Sequence, residues 1–327
     1  MKLVKKIISV SRRTDIPAFY GDWFIRRLNA GFAGWENPFG GQRIITSLKP
    51  EDVRAFVFWS KNYGPFLKHL AAIRERDIPA MFNFTITGMP LQFECNLVAP
   101  DEAVTSLREL SALFSPDHIT WRYDPIVISC ITDEAYHVTR FRQLVEQLAG
   151  HVTRCCFSFA ARYGKVERSF KRFERETGIT VTDPEKGQRL ELARKITDIA
   201  EESGISMHSC CGDYLLADPR IRKAHCIDGE LLEQLYPSCG RAGARGTREE
   251  CGCSESIDIG RYDTCPHGCI YCYATTNKER AEKLHAGHDP EAVFLGCSRQ
   301  QSDAFLQEIV EGRRQAVATH CQPALFC

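Results

Sequence analysis

Apolar positions along the chain alternate between two rhythms, short continuous runs that turn polar at their ends and longer stretches where apolar residues return every three or four positions. The run Lys6-Ile7-Ile8-Ser9-Val10 gives way to Ser11-Arg12-Arg13-Thr14-Asp15 and Pro17, which predicts a buried strand and its C-terminal loop. Phe19 to Leu28 has helical spacing, and residues 31 to 52, with several glycines and prolines, read as a long loop. The unit then recurs: Val53 to Trp59 predicts a strand, Ser60-Lys61-Asn62 its end, and residues 65 to 76 a helix. Ala80 to Ile86, His118 to Trp121, Thr153 to Phe159 and Ile205 to Ser209 continue the series of strands. Helices are predicted over Asp101 to Phe114, with Val104, Leu107, Leu110 and Leu113 in one stripe, and around Val138, Phe141, Val145 and Leu148. Another precedes Gly204, with Asp183 as N-cap and Pro184 at the first helical position.

Six strands alternating with helices argue for parallel βαβ units, and right-handed crossovers either leave such a sheet open and doubly wound or curl it into a partial (β/α)6, TIM-like barrel, the form favoured by strand candidates that end in polar or charged residues. Active groups of parallel α/β barrels collect at strand C-terminal ends. Those ends carry Arg12, Arg13, Asp15, Lys61, Asn62, Asn83, Thr85, Arg122, Asp124, Ser158 and His208, for each of which a solvated loop residue is the plainer reading. Beyond Ser209 the pattern breaks into a stretch rich in cysteine and glycine, with a polar linker from Arg241 to Glu250, a helix over Thr276 to Leu284 and an amphipathic segment around Phe305 to Ile309. The expected organisation is a barrel over residues 1–209, a cysteine-rich segment over 210–290 packed on the barrel mouth, and a C-terminal tail over 291–327.

The 42 basic and 42 acidic residues cancel, so net charge points to neither a nucleic acid nor an anionic membrane as partner. Met1 to Ile8 lacks the apolar core of a signal peptide, and no later stretch approaches a membrane span. The expectation is a cytoplasmic protein with no membrane partner. In such a compartment sixteen cysteines predict metal ligands or buried hydrophobes rather than disulfides, and nine of them fall between Cys210 and Cys272.

Within that span Cys265-Pro266-His267-Gly268-Cys269-Ile270-Tyr271-Cys272 places three thiols at C-x3-C-x2-C. Three thiolates hold three irons of a cubane [4Fe-4S] cluster and leave the fourth without a protein ligand, whereas zinc sites usually present paired C-x2-4-C knuckles. The spacing, with Tyr271 before the last cysteine, resembles the cluster motif of the radical S-adenosylmethionine (SAM) superfamily. That resemblance implies SAM bound to the open iron through its amino and carboxylate groups, with Tyr271 near the adenine. It further implies reductive cleavage to a 5′-deoxyadenosyl radical that abstracts hydrogen from a small-molecule or otherwise unspecified substrate, and an electron donor such as flavodoxin or ferredoxin. A late loop folded over the strand ends would face Arg12, Asn83, Arg122 or Asp124, and the guanidinium of Arg12 or Arg122 suits the methionyl carboxylate. In the superfamily the motif lies near the start of the barrel domain; here it lies near the end.

Cys251 and Cys253, with Cys226 and one of the pair Cys210-Cys211, make a second group that fills either an auxiliary [4Fe-4S] cluster or a tetrahedral zinc site. Strand alternation sends Cys210 and Cys211 to opposite faces, and Cys211 is taken as the ligand. Cys239 is a spare candidate, Cys155 and Cys156 read as buried hydrophobes, and Cys95, Cys130, Cys297, Cys321 and Cys327 stand alone. More widely, Ser9-Val10-Ser11-Arg12-Arg13-Thr14-Asp15-Ile16-Pro17-Ala18 and the block from Cys251 to Ala274 are similar to an uncharacterised bacterial domain family with radical-SAM-type cysteines at its C-terminal end. Two rival readings stay open: an iron-sulfur electron carrier that does not use SAM, and a zinc-stabilised binding module.

Overall fold

The computed structural model describes residues 5–240 and 242–320, with side chains through residue 312. Met1 to Val4, Arg241, Cys321 and Cys327 lie outside the described residues. The strands in chain order are β1 (Lys6–Val10), β2 (Phe32–Glu36), β3 (Arg43–Ser47), β4 (Val53–Ser60), β5 (Ala80–Thr85), β6 (Ile119–Ile126), β7 (Arg154–Phe159), β8 (Ser206–Ser209), β9 (Ile221–Lys223) and β10 (Ser256–Asp258). Among the described residues eight of them form one sheet in the order β10-β1-β4-β5-β6-β7-β8-β9. Every pairing in it is parallel.

The six strands expected from the apolar runs occupy the centre of this sheet, and two more than expected extend it. β9 and β10 form the edges, the sheet stays open, and no closed barrel is formed among the described residues. Both edge strands are three residues long, too short for a period of two to register. The segment read as a long loop contains the antiparallel hairpin β2–β3, in which Trp35 donates its indole N–H to Thr46 Oγ1 at 2.8 Å. The helix after β7, Gly164–Thr177, hides its narrow stripe of Val166, Phe170 and Phe173 among charged residues. The next helix, Lys186–Glu201, is capped by Glu185 in a capping box with Gln188, not by Asp183.

Alternation along the strands sorts the core into two faces. Ile8, Val10, Phe56, Phe58, Phe82, Phe84, Trp121, Tyr123, Cys155 and Phe157 point to one side, where helices such as Pro100–Leu113 and Glu134–Leu148 bury them. Ile7, Ala55, Val57, Met81 and Cys156 point to the other, where they pack against Ala224, Cys226, Ile227, Leu231, Leu232 and Cys253. After β9 the chain therefore returns across the second face on its way to β10 at the opposite edge.

His137, on the helix Glu134–Leu148, is fully enclosed on the first face, with Nδ1 2.8 Å from the Tyr123 hydroxyl and Nε2 3.0 Å from the Val127 carbonyl. The carbonyl can only accept, so Nε2 carries the proton and Nδ1 accepts from Tyr123. Burial pushes the imidazole from its ordinary 6.5 down to about 4. The unfolded state then holds the extra proton between those values, and stability falls as pH drops through that window. This group alone removes up to about 3 kcal/mol. In urea unfolding between pH 7 and pH 4, His137→Gln, which removes the titrating ring and keeps an N–H donor for the Val127 carbonyl, is expected to flatten the loss; an unchanged slope would mean that the site admits the proton. His208 and His288, also lowered to about 4 by burial, supply the residual slope.

Candidate metal and cofactor site

The C-x3-C-x2-C loop rests on the C-terminal ends of β1 and β4. Asp15, just past β1, is fixed first: its Oδ1 accepts from the Ala18 N–H at 3.0 Å and Ser60 Oγ at 2.7 Å, and its Oδ2 from the Lys61 N–H at 2.7 Å. The same Oδ2 meets His267 Nε2 at 2.7 Å, which docks the middle of the motif on a carboxylate held by two strands. Buried Glu94 forms a second anchor, taking Lys61 Nζ at 2.7 Å, Thr87 Oγ1 at 2.9 Å and the Tyr271 hydroxyl. Main-chain contacts complete the mould. Glu94 bridges Cys269, Ile270 donates to the Phe93 carbonyl at 3.0 Å, and Asn96 donates to the His267 carbonyl at 3.2 Å.

Burial pushes the Cys269 thiol up to about 12 against the opposing pull of Lys61, and burial with Asp15 holds Cys265 well above its ordinary range. The Thr275 N–H lies 3.3 Å from Cys272 Sγ and is aimed at it. Metals displace protons from such thiols on binding. Three sulfurs on one braced loop, with a buried ammonium beside them, suit a thiolate-held iron-sulfur cluster. Gly268 makes the turn possible: its φ is +70°, and a Cβ there would lie 2.6 Å from Cys95 Sγ. Gly268→Ala is therefore expected to cost about 1–3 kcal/mol from left-handed strain alone. Adding Cys95→Ala should relieve the collision while the strain remains in the unfolding free energy; a double variant as stable as the wild type would refute that strain.

The second cysteine group is assembled by the sheet. Cys156 on β7, Cys210 directly after β8 and Cys226 after β9 place their sulfurs within 4.8 Å of one another, the only such trio of metal-type ligands among the described residues. Cys210 Sγ and Cys226 Sγ are 3.4 Å apart. Cys253 lies outside this trio, with Cys226 and Cys251 as neighbouring thiols. The neighbouring Cys226 thiol lowers Cys253 to about 5, and the neighbouring Cys156 thiol holds Cys210 well below its ordinary value. Arg122 Nη1 lies 2.8 Å from Cys226 Sγ and 3.7 Å from Cys156 Sγ, while the same guanidinium pairs with Asp124 and covers the Trp59 ring at 5.1 Å.

These positions revise the expected ligands. Cys210, not Cys211, joins the trio, because β8 ends at Ser209 and Cys211 takes a left-handed φ of 60° that removes it from strand alternation. Cys211 Sγ instead accepts from Arg248 Nε at 3.0 Å. Cys156 enters because β7 turns Cys155 to the helix face and Cys156 to the other, a signal present in the period of two. Cys239 points away, donating to the Arg54 carbonyl at 3.4 Å.

Of the residues expected to face a cofactor, Asn83, Arg122 and Asp124 gather at the second cysteine group. Asn83 donates to the Cys226 carbonyl at 3.1 Å, and Asp124 accepts from Ser158. Arg12 lies between the two groups: Asp258, Tyr273, Cys253 and Cys226 raise its pKa against desolvation, and its carbonyl accepts from the Tyr273 hydroxyl at 2.9 Å. Tyr271 is pinned to Glu94, with Lys61 Nζ 5.5 Å from its ring centroid. Glu94 had no sequence signal, being one acidic residue in a turn-rich stretch. Asn62 and His208 are engaged locally, with the Gly64 N–H at 3.0 Å and Ser206 Oγ at 3.1 Å.

The family model for a domain of unknown function (DUF1848) matches residues 7–274, a span that contains both cysteine groups. The chain belongs to the DUF1848 family. In this DUF1848 chain the matched span ends two residues past Cys272, so the motif loop is part of the shared domain. No curated protein matches it. Among the described residues no helix is long and apolar enough to cross a membrane.

Proposed function

We propose that this protein is a radical SAM-type enzyme, with Cys265, Cys269 and Cys272 as ligands of a [4Fe-4S] cluster that keeps one iron open for SAM. The observation that carries this reading is the docking of the motif loop on the strand ends through Asp15–His267 and Lys61–Glu94–Tyr271. In this reading the open sheet, wound in one direction, serves as a partial barrel whose mouth holds substrate. A bound cluster supplies the low-potential electron for reductive cleavage of the SAM sulfonium, chemistry that belongs to the cofactor.

The chain's own residues position and enclose. Asp258 is satisfied by Ser9 Oγ at 2.8 Å, Ser11 Oγ at 2.6 Å, the Arg12 N–H at 2.8 Å and the Gly260 N–H at 3.0 Å. The Arg12 guanidinium meets Asp258 at 3.6 Å and Ser256 Oγ at 3.4 Å, contacts that leave other N–H groups for the methionyl carboxylate. Arg122, already engaged by Asp124 and Cys226, is the poorer partner for it. Lys61 places a buried positive charge beside Cys269, which favours the thiolate.

The reading also places the protein in the cytoplasm with a flavodoxin or ferredoxin as electron source. Its test is anaerobic reconstitution with iron and sulfide, then dithionite and SAM. Release of 5′-deoxyadenosine and methionine is expected. Reduction of the iron without any SAM cleavage would assign the protein to electron transfer instead.

A further inference from the structure

The second cysteine group is a different kind of site from the first. In a tetrahedral thiolate site the metal–sulfur bond is about 2.3 Å, which sets the sulfurs about 3.8 Å apart. Ligands of a cubane sit on separate irons and stand further apart. Cys210 and Cys226, at 3.4 Å, and the trio inside 4.8 Å have the spacing of ligands that share one ion. Cys265, Cys269 and Cys272 do not meet that spacing; Cys253 also stands outside the 4.8 Å trio, with Cys226 as its neighbour, and would close on the ion as the fourth ligand.

The charges around the group agree. A buried guanidinium beside neutral thiols gains little for its desolvation, but beside thiolates it makes charge-assisted hydrogen bonds. Arg122 is 8% exposed and aimed at Cys226 and Cys156, and Arg248 Nη2 lies 3.6 Å from Cys210 Sγ. The Ile227 N–H points at Cys253 Sγ from 3.5 Å, the kind of outer hydrogen bond that orients a metal-bound thiolate. Arg122 also serves Asp124, so part of its charge is already matched. The ligands come from β7, from the ends of β8 and β9, and from the segment entering β10.

We propose that Cys156, Cys210, Cys226 and Cys253 form a separate site for one tetrahedral, thiophilic cation of the zinc type, rather than an auxiliary iron-sulfur cluster. The ion ties the returning segment 224–254 to the sheet face and links the two open edges where strand hydrogen bonds do not. The proposal is independent of SAM chemistry at the first motif.

The test uses the full chain carrying Cys265→Ala, Cys269→Ala and Cys272→Ala, expressed with zinc and analysed for metal and acid-labile sulfide. Stoichiometric zinc without sulfide is expected, and cobalt exchanged into the same variant should show the intense visible absorption of tetrahedral cobalt thiolate. Adding Cys253→Ser should lower retained zinc to background. Zinc-edge X-ray absorption on the wild-type chain, expected to report four sulfur ligands at about 2.3 Å, gives the same discrimination with every cysteine in place. Iron with matching sulfide in the triple variant would overturn the proposal in favour of a cluster. A wild-type chain that holds no zinc, or zinc bound chiefly by nitrogen and oxygen, would overturn it outright.

Discussion

Cys269→Ala is expected to reduce SAM cleavage to the level of a protein-free control and to strip the motif of its iron. Cys269 is the middle thiol of the three, buried beside Lys61. Two remaining sulfurs leave two irons of a cubane without protein ligands, and a cluster so held is not retained. The fold should tolerate the change. The loop is held by main-chain contacts, Glu94 to Cys269 and Ile270 to Phe93, and by Tyr271 and His267, none of which needs the thiol. Removing one buried sulfur costs about 1 kcal/mol, the ordinary size of a single substitution. The signature is therefore lost iron and lost cleavage, with a nearly unchanged unfolding midpoint when both chains are compared free of cluster. A variant that cleaves SAM as well as the wild type removes the motif from the chemistry.

Lys61→Met carries the largest expected stability change. Lys61 and Glu94 meet at 2.7 Å with side chains 14% and 5% exposed, so neither charge is solvated in the folded chain. Deleting the ammonium leaves the carboxylate with only the Thr87 and Tyr271 hydroxyls as donors. Breaking a buried pair from one side costs about 3–5 kcal/mol, mostly the penalty of the orphaned charge. Lys61→Met with Glu94→Gln removes both charges and should recover most of that loss. Urea unfolding of the two single variants and the double variant completes the cycle, and a Lys61→Met loss below about 1 kcal/mol, the range of exposed pairs, would show that water reaches Glu94.

The sequence exposed some of this plainly and concealed the rest for physical reasons. Central strands of a parallel sheet are covered on both faces and read as continuous apolar runs, so Val53 to Trp59 and Ala80 to Ile86 announced themselves. Edge strands of three residues carry no such run, and β2–β3 lay behind Pro38, Gly40 and Gly41 of their own turn. The C-x3-C-x2-C loop was visible because its ligands are neighbours in the chain. Cys156, Cys210 and Cys226 become neighbours only through sheet order, and the contact of Arg122 with Cys226 spans 104 residues. Glu94 was silent for the same reason, since its partners Lys61 and Tyr271 come from distant segments.

The brevity of β9 and β10 also bears on how copies of this chain meet. An open parallel sheet normally presents two rows of unpaired amides and carbonyls that invite a strand from another molecule. Here each row runs for three residues before the chain turns away. An incoming strand finds too few partners to offset the entropy of docking, so strand addition at either rim is a poor route to aggregation for a sheet this broad.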